Sequence, residues 1–455
     1  MFNFMNSLLT KLHARLGDFW WYSLMLFCAA RAADALNMFV GLWLVPKYVE
    51  PSELGAVQPL TQFANFLAIP IAVFAATFRQ ELTTLAVNRK FGQMKTLMRG
   101  VFIATAIFLF LAIILSRLLL PAFLERIRIT EGMLGIVILV SSFVGTVAPI
   151  YTNALQSLKK FKANALINLI GAPVRLLAML VTMPLRALTG YFVGQTAPSA
   201  FSIVGVLIGL RKELAVKAEP YWNQEIVKRF SRIFFIFLAS SIAGGFAFLI
   251  ETTIIRQRLP EMDSAGYYMA TRFSEISGFL AVALGFTLFP FTAELAAKGK
   301  DTRPIYLKVC AAVIGTNAIL ALALIVFGKY ILSILPHGDD YVAYWWAMPA
   351  LVGVSTLMWV TNLFTTIETS AYRFGYLKWW IPLHLLYPAA LLLVTGYGYF
   401  TAYLPTSWAG YLAAHNITSL QTMIYWMVGF QLLRLIGCTF AILSPHRATD
   451  EVQNR

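Results

Sequence analysis

The chain reads as long apolar runs separated by short polar breaks. A membrane-spanning helix needs about 20 mostly apolar residues. Twelve stretches meet that requirement. The first six run over Trp20–Val45, Val57–Phe78, Val101–Leu120, Gly132–Leu155, Ala163–Leu185 and Leu188–Leu210. The second six run over Ile233–Ile255, Ala265–Phe289, Val309–Ile331, Tyr341–Thr366, Trp380–Phe400 and Met423–Leu443. The sixth has the weakest pattern. It holds Gly190, Gly194, Gly205, Gly209 and Pro198, and almost no loop separates it from the fifth.

Composition sharpens this to a class. The 455 residues are 59% hydrophobic and only 13% charged, against about 45–50% and about 25% in soluble domains. So much apolar surface excludes a set of ordinary soluble domains. The formal charge of +15 is not a nucleic-acid footprint, because no dense Lys/Arg patch interrupts the apolar runs. Most of it reports orientation. With the N-terminus placed in the cytoplasm, 24 of the 36 basic residues fall on inside segments and 8 on outside loops or the helix ends beside them. Cytoplasmic loops carry such an excess. The remaining four, Arg31, Arg175, Arg272 and Arg434, lie within predicted helices. Both termini are then cytoplasmic, and the loops leave no room for a globular domain.

Smaller signals agree. The first apolar run is too long for a cleavable signal peptide and contains Arg31 and Asp34. Cys28, Cys310 and Cys438 all fall in predicted helices, so no disulfide framework is expected. Trp20, Trp21, Trp43, Trp379, Trp380 and Trp408 sit at predicted helix ends, as an aromatic belt requires. The pattern predicts an all-α polytopic membrane protein.

The chain also repeats. Residues 44–69 (LVPKYVEPSELGAVQPLTQFANFLAI) and 254–282 (IIRQRLPEMDSAGYYMATRFSEISGFLAV) each join two helices through a turn with Pro, acids and Gly. Gly55 and Gly266 lie 211 residues apart, close to the spacing of the first and seventh helices. This predicts an N-terminal six-helix lobe (1–210), a basic cytoplasmic linker (211–232), and a C-terminal lobe with a short tail (233–455). Six helices is an even number, so the lobes have parallel topology, an arrangement transporters use.

At these residues a family resemblance emerges. VPKYVEPSELGAVQ resembles the turn after the first helix of oligosaccharide flippases. These form the polysaccharide biosynthesis branch of the multidrug/oligosaccharidyl-lipid/polysaccharide (MOP) flippase superfamily. ALQSLKKFKANALINLI (154–170) is similar to that family's link between helices four and five. LPEMDSAGYYMATRFSEISGFLAVALGFTLFPFTAEL (259–295) is similar to its seventh-to-eighth turn and eighth helix. The resemblance implies two six-helix bundles around a central cavity, in a bacterial inner membrane. It implies alternating access that moves an undecaprenyl-diphosphate-linked oligosaccharide to the outer leaflet for surface polysaccharide synthesis. Expected partners are the lipid-linked oligosaccharide, membrane lipids, and a polysaccharide polymerase and glycosyltransferases. A monomer without cofactor, bound metal or nucleic acid is expected.

Ionisable residues inside a bilayer are costly and mark candidate sites. Arg31 with Asp34, and Arg272 with Glu275, share an i,i+3 spacing. Arg175 lies near the middle of the fifth helix and Glu251 towards the outer end of the seventh. Arg presents a planar fork suited to phosphate, so Arg31, Arg175 and Arg272 are candidates to line a cavity for the diphosphate. Asp34, Glu251 and Glu275 are candidates to take a coupling cation or proton. The alternative is that the i,i+3 sets are intrahelical ion pairs that only pin packing. Arg434 lies near enough to a helix end to snorkel. Asn153, Thr361, Asn362 and Thr365 suit sugar hydroxyls or a neighbouring helix. Helix-interior prolines (Pro70, Pro149, Pro173, Pro349, Pro388) predict bends.

Other chemistry is absent. The five histidines have no metal-ligand spacing, and no Walker loop is present. Asn416-Ile417-Thr418 matches a glycosylation sequon, which matters only in a eukaryotic secretory membrane. Two competing functions stand beside the flippase. One is a cation-coupled multidrug antiporter of the same superfamily, for which an acidic cavity suits better. The other is a membrane-embedded glycosyltransferase or polymerase, which would need catalytic acids outside. Only Asp339-Asp340 offers such a pair, and a solvated turn explains it.

Overall fold

The computed structural model describes residues 31–129, 132–158, 160–282, 284, 288, 292, 295, 300–370, 373–395 and 419–443. The start of the first predicted helix, Cys28, part of the eighth helix, the loop before the twelfth with its sequon, and both tails lie outside them.

Among the described residues every regular element is helical. The helices are α1 (residues 31–48), α2 (Val57–Val87), α3 (Phe91–Arg126), α4 (Gly132–Ser157), α5 (Phe161–Thr182) and α6 (Ala187–Gly209). Then follow α7 (Gln224–Arg258), α8 (Glu261–Ser274), α9 (Arg303–Ser333), α10 (Ala347–Ser370), α11 (Leu377–Val394) and α12 (Leu420–Leu443). Among the described residues, nine helices are long and apolar enough to cross a membrane. A 24-residue helix such as α10 is about 36 Å long, enough for a hydrocarbon core of about 30 Å.

The glycine-rich sixth stretch is a helix, and its glycines explain the weak pattern. Gly194 faces Met179 of α5, and Gly205 faces Ile167 of α5 at 3.0 Å. Small residues let membrane helices approach closely. The short turn between α5 and α6 is tied by Thr182, whose hydroxyl donates to the Gly190 carbonyl at 2.7 Å. Within α1, a π turn spans Val40–Leu44 just before Pro46.

The chain divides into two compact units, Met1–Gly245 and Phe246–Arg455, the boundary falling inside α7. Within the first unit α4 packs on α2, α3 and α6, and α5 packs on α6. Within the second, α10 packs on α8, α9 and α12, and α11 packs on α12. Offsetting the numbers by six turns one set of pairs into the other.

The predicted linker is not a free tether. Residues 224–232 already form the start of α7. The preceding segment is stitched to the first unit. Lys95 Nζ donates to the Val216 carbonyl at 2.9 Å, and Thr96 Oγ1 to the Glu219 carbonyl at 2.6 Å. The Glu219 amide donates to the Gly92 carbonyl at 3.2 Å. Trp222 lies 3.1 Å from where a Cβ on Gly100 would stand, and its ring meets Phe78 edge-on. Lys160 pairs with Glu213 at 2.7 Å and also donates to the Gly209 carbonyl at 2.8 Å. Partial burial pushes the Glu213 carboxyl up, but its hydrogen bonds and the charges of Lys160 and Lys212 outweigh this and hold it below the usual range.

Candidate functional site

The intramembrane charges include two kinds. The first kind is paired within its own helix. Arg31 meets Asp34 at 2.9 Å, and Arg272 meets Glu275 at 3.0 Å. The Arg272 guanidinium also lies 4.9 Å over the Tyr268 ring. Carboxylates one turn on neutralise both arginines, as the i,i+3 spacing allows. Arg175 is half-buried on α5. Arg31 and Arg272 each carry a carboxylate partner.

The second kind sits inside the Phe246–Arg455 unit and forms two buried nodes. Glu251 of α7 is 6% exposed and accepts a hydrogen bond from the Tyr387 hydroxyl of α11 at 2.7 Å. The Tyr387 ring stacks on Phe430 of α12, with centroids 4.0 Å apart and planes at 7°. Among the described residues no cation lies within ion-pairing distance of this carboxyl. An isolated carboxylate in a low-dielectric interior is costly, so a buried acid of this kind is a candidate site.

The other node is Arg434 of α12. It is 2% exposed, so it does not snorkel. Its Nη1 donates to Gln431 Oε1 at 2.7 Å and its Nη2 to Asn362 Oδ1 at 2.9 Å. The guanidinium lies 4.3 Å over the Trp380 ring and 5.7 Å from that of Phe430. Trp380, expected in an aromatic belt, is 7% exposed. It is a core residue because a buried cation needs its π face. His384 bonds the Trp380 carbonyl at 2.8 Å and stays within the helix packing.

Three of the polar residues read for sugar hydroxyls or a neighbouring helix make bonds among the helices, and the side chain of Asn153 lies outside the described residues. Asn362 takes Arg434, Thr361 bonds the Met358 carbonyl, and Thr365 bonds the Asn362 carbonyl. Among the described residues no His/Cys/Asp/Glu cluster could hold a metal. Cys310 and Cys438 are buried thiols.

No protein-family model and no curated protein matches this sequence. Solved structures do match in fold. A MATE transporter in its bent conformation is 12% identical, with a TM-score of 0.58 over 94% of this chain and 96% of that one. The lipid II flippase MurJ, in an inward closed conformation, is 10% identical, with a TM-score of 0.62 over 92% and 87%. A Vibrio cholerae MATE transporter, VcmN, is 11% identical, with a TM-score of 0.61 over 96% and 98%. The chain therefore has the polytopic all-helical fold of the MATE and MurJ transporters. At such identities the likeness fixes the fold and assigns no residue its role.

Proposed function

We propose that this protein is a membrane transporter, not an enzyme, that carries an amphiphilic molecule across a bacterial inner membrane by alternating access. The observation that carries the proposal is the fold likeness over more than nine-tenths of the chain to transporters of two cargo classes. The recurring helix pairs support two six-helix bundles, the arrangement in which a central cavity opens to either side in turn. The bias of basic residues supports cytoplasmic termini.

Cation-coupled export of the multidrug type is the cargo reading with most support. One similar structure is described as a multidrug resistance MATE transporter of the MOP superfamily. The charges point the same way: Arg31 and Arg272 are neutralised by Asp34 and Glu275, while Glu251 is a buried acid without a cation partner among the described residues. In this reading Glu251 takes the coupling proton or cation, and Asp34 and Glu275 serve their ion pairs. Flipping of an undecaprenyl-diphosphate-linked oligosaccharide is the second reading. The MurJ likeness and the loop motifs favour it. There Arg31, Arg175 and Arg272 would meet the diphosphate once the paired acids let go.

One experiment separates the two. Purified protein in liposomes is given an organic cation or a short-chain prenyl-diphosphate sugar, each with and without an imposed proton or sodium gradient. Export of the organic cation driven by the gradient supports the first reading. Movement of the lipid-linked sugar alone supports the second. Elongation of the glycan would make the protein an enzyme and end both.

A further inference from the structure

Arg434 poses a problem that its hydrogen bonds do not solve. The residue lies well inside α12, in a segment apolar enough to span a membrane. Arginine keeps its charge inside proteins. Yet among the described residues no carboxylate pairs with it. It meets two neutral amide oxygens and two aromatic faces. Its Nε–H has no acceptor among the described residues. A bare charge of this kind is costly in a membrane interior, and an unsatisfied donor adds to the cost.

The surroundings have a recognisable chemistry. Carbonyl dipoles from amides, together with π faces, are what proteins use to bind a cation that brings no anion with it. Asn362 comes from α10, Trp380 from α11, and Gln431 and Phe430 from α12. Three helices thus contribute to one cation-binding cage. Of the two rings Trp380 is the nearer, 4.3 Å from the guanidinium carbon. The same Phe430 ring stacks on Tyr387, which holds Glu251.

We infer that Asn362, Gln431, Trp380 and Phe430 form a cation site filled by the protein's own Arg434, a built-in occupant where a free monovalent organic cation would otherwise bind. The site is permanently loaded, so α10, α11 and α12 stay joined with no ion from solution. A diffusible cation or proton then has only Glu251 to serve among these two buried nodes. The cage stands on its own geometry and holds whichever cargo the transporter moves.

Chemical rescue tests it. Arg434→Ala removes the occupant and leaves the cage, and the purified variant is melted in detergent with ethylguanidinium or with ethylurea. The two compounds have nearly the same shape, and only the first is charged. Arg434→Lys and Arg434→Gln are melted alongside, and the Tm of each is compared with that of the unaltered protein. The expected results are a saturable rise in the Tm of Arg434→Ala with ethylguanidinium and none with ethylurea. The unaltered protein shows no such rise. Arg434→Lys lies closer to the unaltered Tm than Arg434→Gln. If ethylurea restores Tm as well as ethylguanidinium, Arg434 only fills space and the inference fails. It fails equally if neither compound raises Tm, or if Arg434→Gln is as stable as the unaltered protein.

Discussion

The Tyr387 hydroxyl donates a hydrogen bond to Glu251 from another helix. Removing that hydroxyl leaves a buried acceptor without its donor. Tyr387→Phe should therefore destabilise the protein by about 1–3 kcal/mol, read as a lower unfolding midpoint in detergent. Glu251→Gln keeps the shape and removes the charge. It should leave the protein folded and make transport insensitive to an imposed gradient. The residue scale is also where the sequence was most ambiguous. The i,i+3 spacing of Arg31–Asp34 and Arg272–Glu275 was legible, and so was its intrahelical alternative, which the structure displays. The buried node at Arg434 was not legible. Its partners come from sequence positions as distant as 362 and 434, and no local spacing records such a meeting. A clue lay in Trp380: an aromatic residue one turn into a helix serves a belt or a core equally well.

Helices were the most legible elements, because an apolar run of about 20 residues has few other fates. The glycine-rich α6 looked weak for a reason that packing supplies. A Cβ on Gly190 would strike the Thr182 carbonyl, a backbone atom that has no room to yield. Gly190→Ala should cost about 1–3 kcal/mol by overpacking, measured as a lowered midpoint. Gly353, which has open space around it, should tolerate the same change. The segment between α6 and α7 was read as a basic linker, and composition alone could not reveal its docking. Its carbonyls at Val216 and Glu219 are held by Lys95 and Thr96, contacts more than a hundred residues apart in sequence. The Lys160–Glu213 pair adds a pH signature. The Glu213 carboxyl is lowered on folding, so its contribution is present above the ordinary carboxylate pKa of about 4.3. It is lost as pH falls through the lower folded value. Amide exchange in residues 211–223 should rise on acidification, and in Glu213→Gln it should be raised already at neutral pH. Unchanged exchange in that variant would mean that the pair does not hold the segment.

At the scale of the molecule, helix pairs recur in the two units at an offset of six, which supports the six-helix period read from Gly55 and Gly266. Period and polarity were written locally along the chain, so the all-helical membrane fold could be read from it. Cargo was not, because it depends on which charges remain unpaired once helices meet. Two arginines are neutralised on their own helices, one is enclosed by amides and rings, and among the described residues Glu251 stands without a cation. The central claim is gradient-driven alternating access through that acid. It is tested most directly by transport in liposomes under an imposed proton or sodium gradient, comparing the unaltered protein with Glu251→Gln. Cargo movement should follow the gradient in the unaltered protein and lose that dependence in the variant. Equal gradient-driven transport by both proteins, or none above empty liposomes for either cargo class, would contradict it.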